Sequence, residues 1–229
     1  MDLTSRYERN QKMFRDTDQL KLGSSKVAIV GCGGLGGYIM EEMARLGVGE
    51  IILIDGDSFQ VSNLNRQLLA TEQNLGQWKV EAAKERLALV NSSTKVTAIH
   101  EWFTEDNGIE YLQGADLVCD ALDNLQTRIA LEKVCHTLGI PLVFASIAGW
   151  YGLLGVSFPG DFTIARLFRN MSRGIEAELG NPAFTPAVLA SLSVAEGAKI
   201  LTGRDVTLHQ SWLQVDLLTM EFDRFQVNQ

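Results

Sequence analysis

The sequence is short of cysteine, proline and basic charge, and each shortage removes a class of protein. The three cysteines, Cys32, Cys119 and Cys135, form no Cys-x-x-Cys pair, so neither a disulfide framework nor a cysteine zinc site is expected. A reducing cytoplasm is the compartment that fits. Prolines occur only at 141, 159, 182 and 186; no proline-rich linker divides the chain, and one domain is expected over residues 1–229. Lysine and arginine number 20 against 28 acidic residues, a net charge of −8, the reverse of the basic footprint of a nucleic-acid binder. A run of about 18 apolar residues is missing, which argues against a membrane partner. The opening Met1-Asp2-Leu3-Thr4-Ser5-Arg6 has no basic stretch followed by an apolar one, as a secretory signal would need. At 46% hydrophobic and 21% charged, the chain can bury a sizeable core, and disorder is excluded as its main state.

Apolar patterning then gives the fold class. Lys26–Val30 and Ile51–Ile54 are short, apolar and β-branched, the mark of buried strands. Between them a glycine cluster, Gly31 to Gly37, leads into a helix pattern with Ile39, Met40, Met43, Ala44 and Leu46 on one side, closed by Gly47. Residues 56–77 form a long polar loop, or a loop with a short helix, of the length that usually serves function. Helices are predicted from Trp78 to Val90 and from Leu125 to Leu138, with strands near Lys95–His100, Asp116–Asp120 and Leu142–Ala148. Alternating strands and helices imply an α/β fold, a Rossmann-like sheet covered by helices on both faces. Gly149–Phe158 reads as a strand and turn, and residues 169–185 as a mobile crossing loop. Thr185-Pro186 suits a helix start, Thr at the cap and Pro in the first turn, running to about Leu201. The alternation in Leu213–Leu217 and Glu221–Phe225 predicts half-exposed strands at an antiparallel end, so the sheet is mixed.

Four groups of residues carry potential chemistry. Gly31-x-Gly33-x-x-Gly36 stands between a strand and a helix, the setting of a dinucleotide fingerprint. Backbone N–H groups there can approach phosphate oxygens, aided by the helix N-terminus. Asp55 follows 19 residues after Gly36, at the end of the second strand, where an acid accepts bonds from ribose hydroxyls. The glycines alone do not separate NAD, FAD and ATP. Arg66 and Lys79 are two cations suited to a triphosphate tail, or else solvated surface charges. Asp123, at the carboxyl edge of the sheet, either holds Mg²⁺ beside phosphates or caps the helix beginning near Asn124. Arg6 and Arg9 lie on an N-terminal arm, residues 1–22; such an arginine can reach a neighbouring subunit's phosphates or remain an ordinary exposed charge. The three histidines show no ligand spacing, and the cysteines read as packing residues.

Taken together, these stretches resemble the ThiF/MoeB/HesA family, bacterial relatives of ubiquitin-activating enzymes. The resemblance is carried by Arg6-Tyr7-Glu8-Arg9, Val30 to Gly36, Gly47-Val48-Gly49-Glu50 and Leu53 to Asp57. It continues through Val61 to Gln67, Gly76-Gln77-Trp78-Lys79 and Asp123-Asn124. It is specific from residue 6 to about 150 and thinner through Ala190–Leu201. It implies an ATP-dependent adenylyltransferase that binds MgATP and the C-terminal Gly-Gly of a small ubiquitin-like sulfur carrier, in thiamin or molybdopterin-type sulfur transfer. By that resemblance Gly31, Gly33, Gly34 and Gly36 bind the phosphates and Asp55 the ribose. Asn63, Arg66 and Lys79 contact the triphosphate, with Asp57, Ser62, Leu64, Asn65 and Asn124 around the nucleotide. Asp123 would hold Mg²⁺, and Arg9 would be donated across a homodimer. Two departures matter: the family's zinc cysteines and its crossing-loop cysteine are both missing here. The expectation is therefore adenylation without a thioester step or zinc, with sulfur supplied by a separate donor protein. Adenylation of a modified tRNA base, disfavoured by the charge of −8, and a non-catalytic nucleotide-binding module are the alternatives. A nicotinamide dehydrogenase would need a second nucleotide-binding half and a His/Asp pair that are not evident.

Overall fold

The computed structural model describes residues 3–169 and 179–227. Its strands are β1 (Lys26–Val30), β2 (Glu50–Ile54), β3 (Lys95–Ile99), β4 (Leu117–Asp120), β5 (Leu142–Ala148), β6 (Tyr151–Ser157), β7 (Ser211–Asp216) and β8 (Glu221–Gln226). They form a single sheet in the order β3-β2-β1-β4-β5-β6-β7-β8. Pairing is parallel from β3 to β5 and antiparallel from β5 to β8. The mixed α/β sheet expected from the alternating pattern is thus the observed architecture. The helices are α1 (Leu3–Arg6), α2 (Asp16–Ser24), α3 (Gly34–Leu46), α4 (Lys79–Val90), α5 (Glu105–Leu112), α6 (Leu125–Leu138), α7 (Thr163–Leu167) and α8 (Phe184–Thr202).

Two apolar layers hold the sheet between its helices. On one face Met43, Leu87 and Leu189 from α3, α4 and α8 meet Ile29, Leu53 and Val215. On the other, Leu112, Leu131 and Ile164 from α5, α6 and α7 meet Val30, Ile54 and Phe144. Helix α8 is long and apolar enough to cross a membrane by length and composition. In this fold that character serves the core, because α8 packs on α3, β5 and β6. It begins at Phe184, one residue before the expected cap. Thr185 does not cap it: the buried hydroxyl donates to Gly149 O at 2.6 Å, tying the helix to the β5–β6 turn.

Helices α2, α5 and α7 were not anticipated from the pattern. The N-terminal segment is anchored rather than free. Phe14 is buried, and Arg204 Nη2 donates to Met13 O and Asp18 Oδ2, both at 2.9 Å. Asn91 Nδ2 donates to Tyr7 Oη at 2.9 Å. Most of the expected crossing loop lies outside the described residues. Its last part is fixed, since Gly149 N–H donates to Gly180 O at 2.7 Å and Asn65 Nδ2 to Asn181 O at 3.1 Å.

Candidate active site

A cleft of about 410 Å³ opens at the carboxyl ends of β1, β2, β4 and β5. The chain runs outward from β1 to β2 and β3 on one side and resumes at β4 on the other. Crevices of open α/β sheets form where the strand order reverses in this way. Gly31, Gly33, Gly34, Asp55, Asp57, Arg66, Lys79 and Asp123 all line it, so eight of the sequence-predicted residues, far apart in the chain, share one cavity.

The glycine turn is dictated by space. Gly31 has φ +97°, and a Cβ there would stand 2.5 Å from Ala121 O. Gly36 does not face the cleft; it lets α3 press on β1, since a Cβ would lie 1.9 Å from Gly31 O. Asp55 is held from both sides: Cys32 N–H donates to Oδ2 at 2.6 Å and Asp57 N–H to Oδ1 at 2.7 Å. Burial raises its carboxyl above the usual carboxylate range, opposed by the charge of Lys79 and these two N–H donors.

Lys79 is not the solvated surface charge that the sequence left as an alternative. It is the first residue of α4, buried, and its Nζ pairs with Asp57 Oδ2 at 2.8 Å. Arg66 is more available: Nη1 donates to Ser62 O and Asn65 Oδ1, each at 2.9 Å, at an exposed position. The two readings of Asp123 are separated by its neighbour. Asn124 caps α6, its Oδ1 accepting Thr127 N–H at 3.0 Å. Asp123 is exposed in the cleft, and among the described residues no hydrogen bond or ion pair holds its carboxylate. A free carboxylate oxygen is the donor a hard cation such as Mg²⁺ accepts. It would also repel phosphates unless a cation stood between them.

Not every expected residue comes to the cleft. Ser62, Asn63, Leu64 and Asn65 form the turn behind Arg66, with Asn63 Oδ1 accepting Gln60 N–H at 2.9 Å. Asn124 is spent on its cap. Arg9 is exposed on the single-turn helix Glu8–Asn10, away from the cleft of its own chain. Cys32, Cys119 and Cys135 are buried and free. Burial, and after it the charge of Asp55, pushes the Cys32 thiol well up, and burial lifts Cys119 to about 12. Such thiols stay protonated and pack.

The rest of the wall was not read from the sequence. Ser146, Ala148, Tyr151, Gly152, Leu153 and Gln214 from β5, β6 and β7 line the cleft on one side. Trp102 and Phe103, beyond β3, line it on the opposite side. Arg128 stands beneath the Asp123 turn, buried, donating from Nη2 to Ala145 O at 2.8 Å and to Leu122 O. Its Nη1 lies 3.4 Å from buried Asp120 Oδ2. Only the spacing of Asp120 and Arg128 across a strand end and the first turn of a helix hinted at that pair.

Known proteins share both the sequence and the fold. A profile described as the ThiF family matches residues 7–229. The heterocyst HesA protein of Trichormus variabilis is 31% identical over 95% of this chain and 82% of its own length. The sulfur carrier protein adenylyltransferase of Thermus thermophilus is 33% identical over 91% of this chain and 81% of its own. Adenylyltransferase and sulfurtransferase MOCS3-1 of Zea mays is 33% identical over 95% of this chain, which spans about half, 48%, of that protein. The structure of E. coli MccB with ATP matches with a TM-score of 0.83 at 24% identity, over 98% of this chain and 72% of that one; this likeness speaks for the fold.

Proposed function

The chain belongs to the ThiF family, and from that premise we propose that it is an ATP-dependent adenylyltransferase. Its acceptor is the C-terminal Gly-Gly carboxylate of a small ubiquitin-like sulfur carrier protein, activated for thiamin or molybdopterin-type cofactor synthesis. One observation carries the reading. A single cavity brings together the glycine turn at Gly31–Gly34, the carboxylate of Asp55, the cations Arg66 and Lys79, the uncommitted carboxylate of Asp123 and residues of β5–β7, while burial keeps the Cys32 thiol beside it protonated. A site so equipped favours attack by a carboxylate that the partner brings.

In the reaction the acceptor carboxylate oxygen bonds to the α-phosphorus of ATP. The bond to the bridging oxygen of the β-phosphate breaks, and pyrophosphate departs. Backbone N–H groups of residues 31–34 face the phosphates, and Asp55 takes the ribose hydroxyls. Arg66 swings from its exposed partners onto the triphosphate. Lys79, released in part from Asp57, meets the charge that grows on the leaving pyrophosphate. Mg²⁺ held by Asp123 would neutralise phosphate charge. Ser146, Tyr151 and Gln214 line the cleft on the β5–β7 side, where the acceptor tail would lie. Arg9 reaches the site only from a second subunit, so the active form is a homodimer. Sulfur then arrives from a separate donor protein.

The relatives named above support this reading, one being a sulfur carrier protein adenylyltransferase. The test is carrier-dependent exchange of labelled pyrophosphate into ATP. Exchange with a carrier ending in Gly-Gly is the expected result, and no exchange with any such carrier overturns it. Exchange supported only by a short peptide would move the acceptor class away from carriers.

A further inference from the structure

Trp102 is the most conspicuous residue that the catalytic scheme does not use. It is 66% exposed, an unusual position for so large an apolar ring, yet it stands on the cleft wall rather than on an outer surface. Its backbone is fixed. Asn107, which also completes the cap of α5, donates from Nδ2 to Trp102 O at 2.9 Å. Next to it, Tyr111 Oη donates to Glu101 Oε2 at 2.7 Å. The ring covers Gly56: a Cβ at that glycine would come within 2.7 Å of indole Cδ2 and 2.8 Å of Cε2. Gly56, Glu101 and Trp102 also line an open recess shared with Trp78 and His100, whose rings pack with centroids 3.7 Å apart. The indole is thus a braced aromatic surface with solvent before it.

Its place in the fold indicates what occupies that solvent. Asp55 precedes Gly56, and Asp55 N–H donates to Ile99 O at 3.2 Å, so the end of β3 lies beside the ribose-binding carboxylate. With phosphates on the β1 turn and ribose on Asp55, the cleft wall next to the ribose on the β3 side is the one built from Gly56 and the residues that follow β3. The residues there are Glu101, Trp102 and Phe103. We propose that Trp102 is the stacking platform for the nucleobase, so that this aromatic ring, in addition to the phosphate contacts, sets the affinity for the nucleotide. The inference rests on the adenylation reading, because it takes Asp55 as the ribose acceptor. Aromatic stacking holds a base through its π face and adds affinity without charge, which matters in a cleft where Lys79 and Arg128 already face Asp57 and Asp120.

The test compares two probes on the full chain in magnesium: ATP, and inorganic tripolyphosphate, which has the phosphates and no base. Binding is followed by calorimetry for the unaltered chain and for Trp102→Ala, Trp102→Phe and Trp102→Tyr. The expected result is about tenfold weaker ATP binding by Trp102→Ala, within the range of a stacked base, with tripolyphosphate affinity unchanged. Phenylalanine and tyrosine should restore ATP binding to within about threefold, since they keep a π face. Equal ATP affinity in Trp102→Ala overturns the proposal. So does equal loss of both probes, which would make Trp102 a support for the whole cleft. Failure of the unaltered chain to bind ATP at all is a separate outcome: it falls on the adenylation reading first and takes the platform with it.

Discussion

Replacing Asp120 by asparagine should change the pH dependence of stability in a calculable direction. Asp120 ends β4 and is 1% exposed. Burial raises its carboxyl to about 6 from 3.8, against the opposing charge of Arg128 and the Leu122 N–H bonded to Oδ1 at 2.9 Å. The unfolded chain loses that proton near 3.8, so between about pH 4 and pH 6 the folded state holds more proton than the unfolded state. Stability contributed by this group is therefore full at low pH and falls as pH rises through that window. A gap from 3.8 to about 6, at about 1.4 kcal/mol per pH unit, amounts to about 3 kcal/mol. Asparagine is close to isosteric, keeps the acceptor for Leu122 and does not titrate. Urea unfolding of both proteins at pH 4, 5, 6 and 7 reads the effect. The stability of Asp120→Asn minus that of the unaltered chain should rise by about 2 to 3 kcal/mol from pH 4 to pH 7. The offset at one pH is not diagnostic, because asparagine also removes the counter-charge of buried Arg128; the slope is. Parallel stability curves would refute the assignment of the elevated carboxyl to Asp120.

Other outcomes follow from the same geometry. Arg66→Ala and Asp123→Ala should each slow carrier-dependent pyrophosphate exchange by at least about 100-fold, roughly 3 kcal/mol of transition-state stabilisation; near-normal turnover in both would remove them from the machinery. Mixing Arg9→Ala with Asp123→Ala chains should recover activity, to about a quarter of the unaltered level for random dimers, whereas no recovery would mean that Arg9 acts within its own chain or not at all. Gly36→Ala places a Cβ 1.9 Å from Gly31 O, forcing the main chain apart at a cost of about 3 kcal/mol. Calorimetry should then show Tm lower by roughly 10 °C, and an unchanged Tm would contradict the tight contact.

Sequence patterning reached the half of the cleft that is local in the chain. The turn at Gly31–Gly36, the acid at the end of β2 and the long polar segment before α4 are each signalled by neighbours in sequence, and the structure brings them together at one sheet edge. The other half depends on strands that meet only after folding. Tyr151, Gln214 and Ser146 reach the cavity through the registers Ala148↔Tyr151, Ser146↔Leu153 and Leu153↔Gln214, which no local pattern specifies. Helix α5 was missed because Gly108 interrupts it and its cap closes with Asn107, not the Glu or Gln of the usual box. Trp102 gave no signal, since a lone tryptophan after a strand reads as core. Whether Lys79 was a triphosphate cation or a solvated charge stayed open in the sequence, and its burial had no local signal: a buried lysine is rare, and Asp57, 22 residues away, is what makes it tolerable.

The change of strand direction at β5 divides the cavity along a seam. In the proposed reaction, nucleotide contacts fall to the parallel strands and their turns, and acceptor contacts to β5–β7 residues beyond them. If that division holds, mutational drift on the antiparallel side would change the acceptor while the power supply stays intact. Exchanging the cleft-facing residues of β6 and β7 for those of a cousin with a different client would then transplant allegiance and leave the chemistry behind.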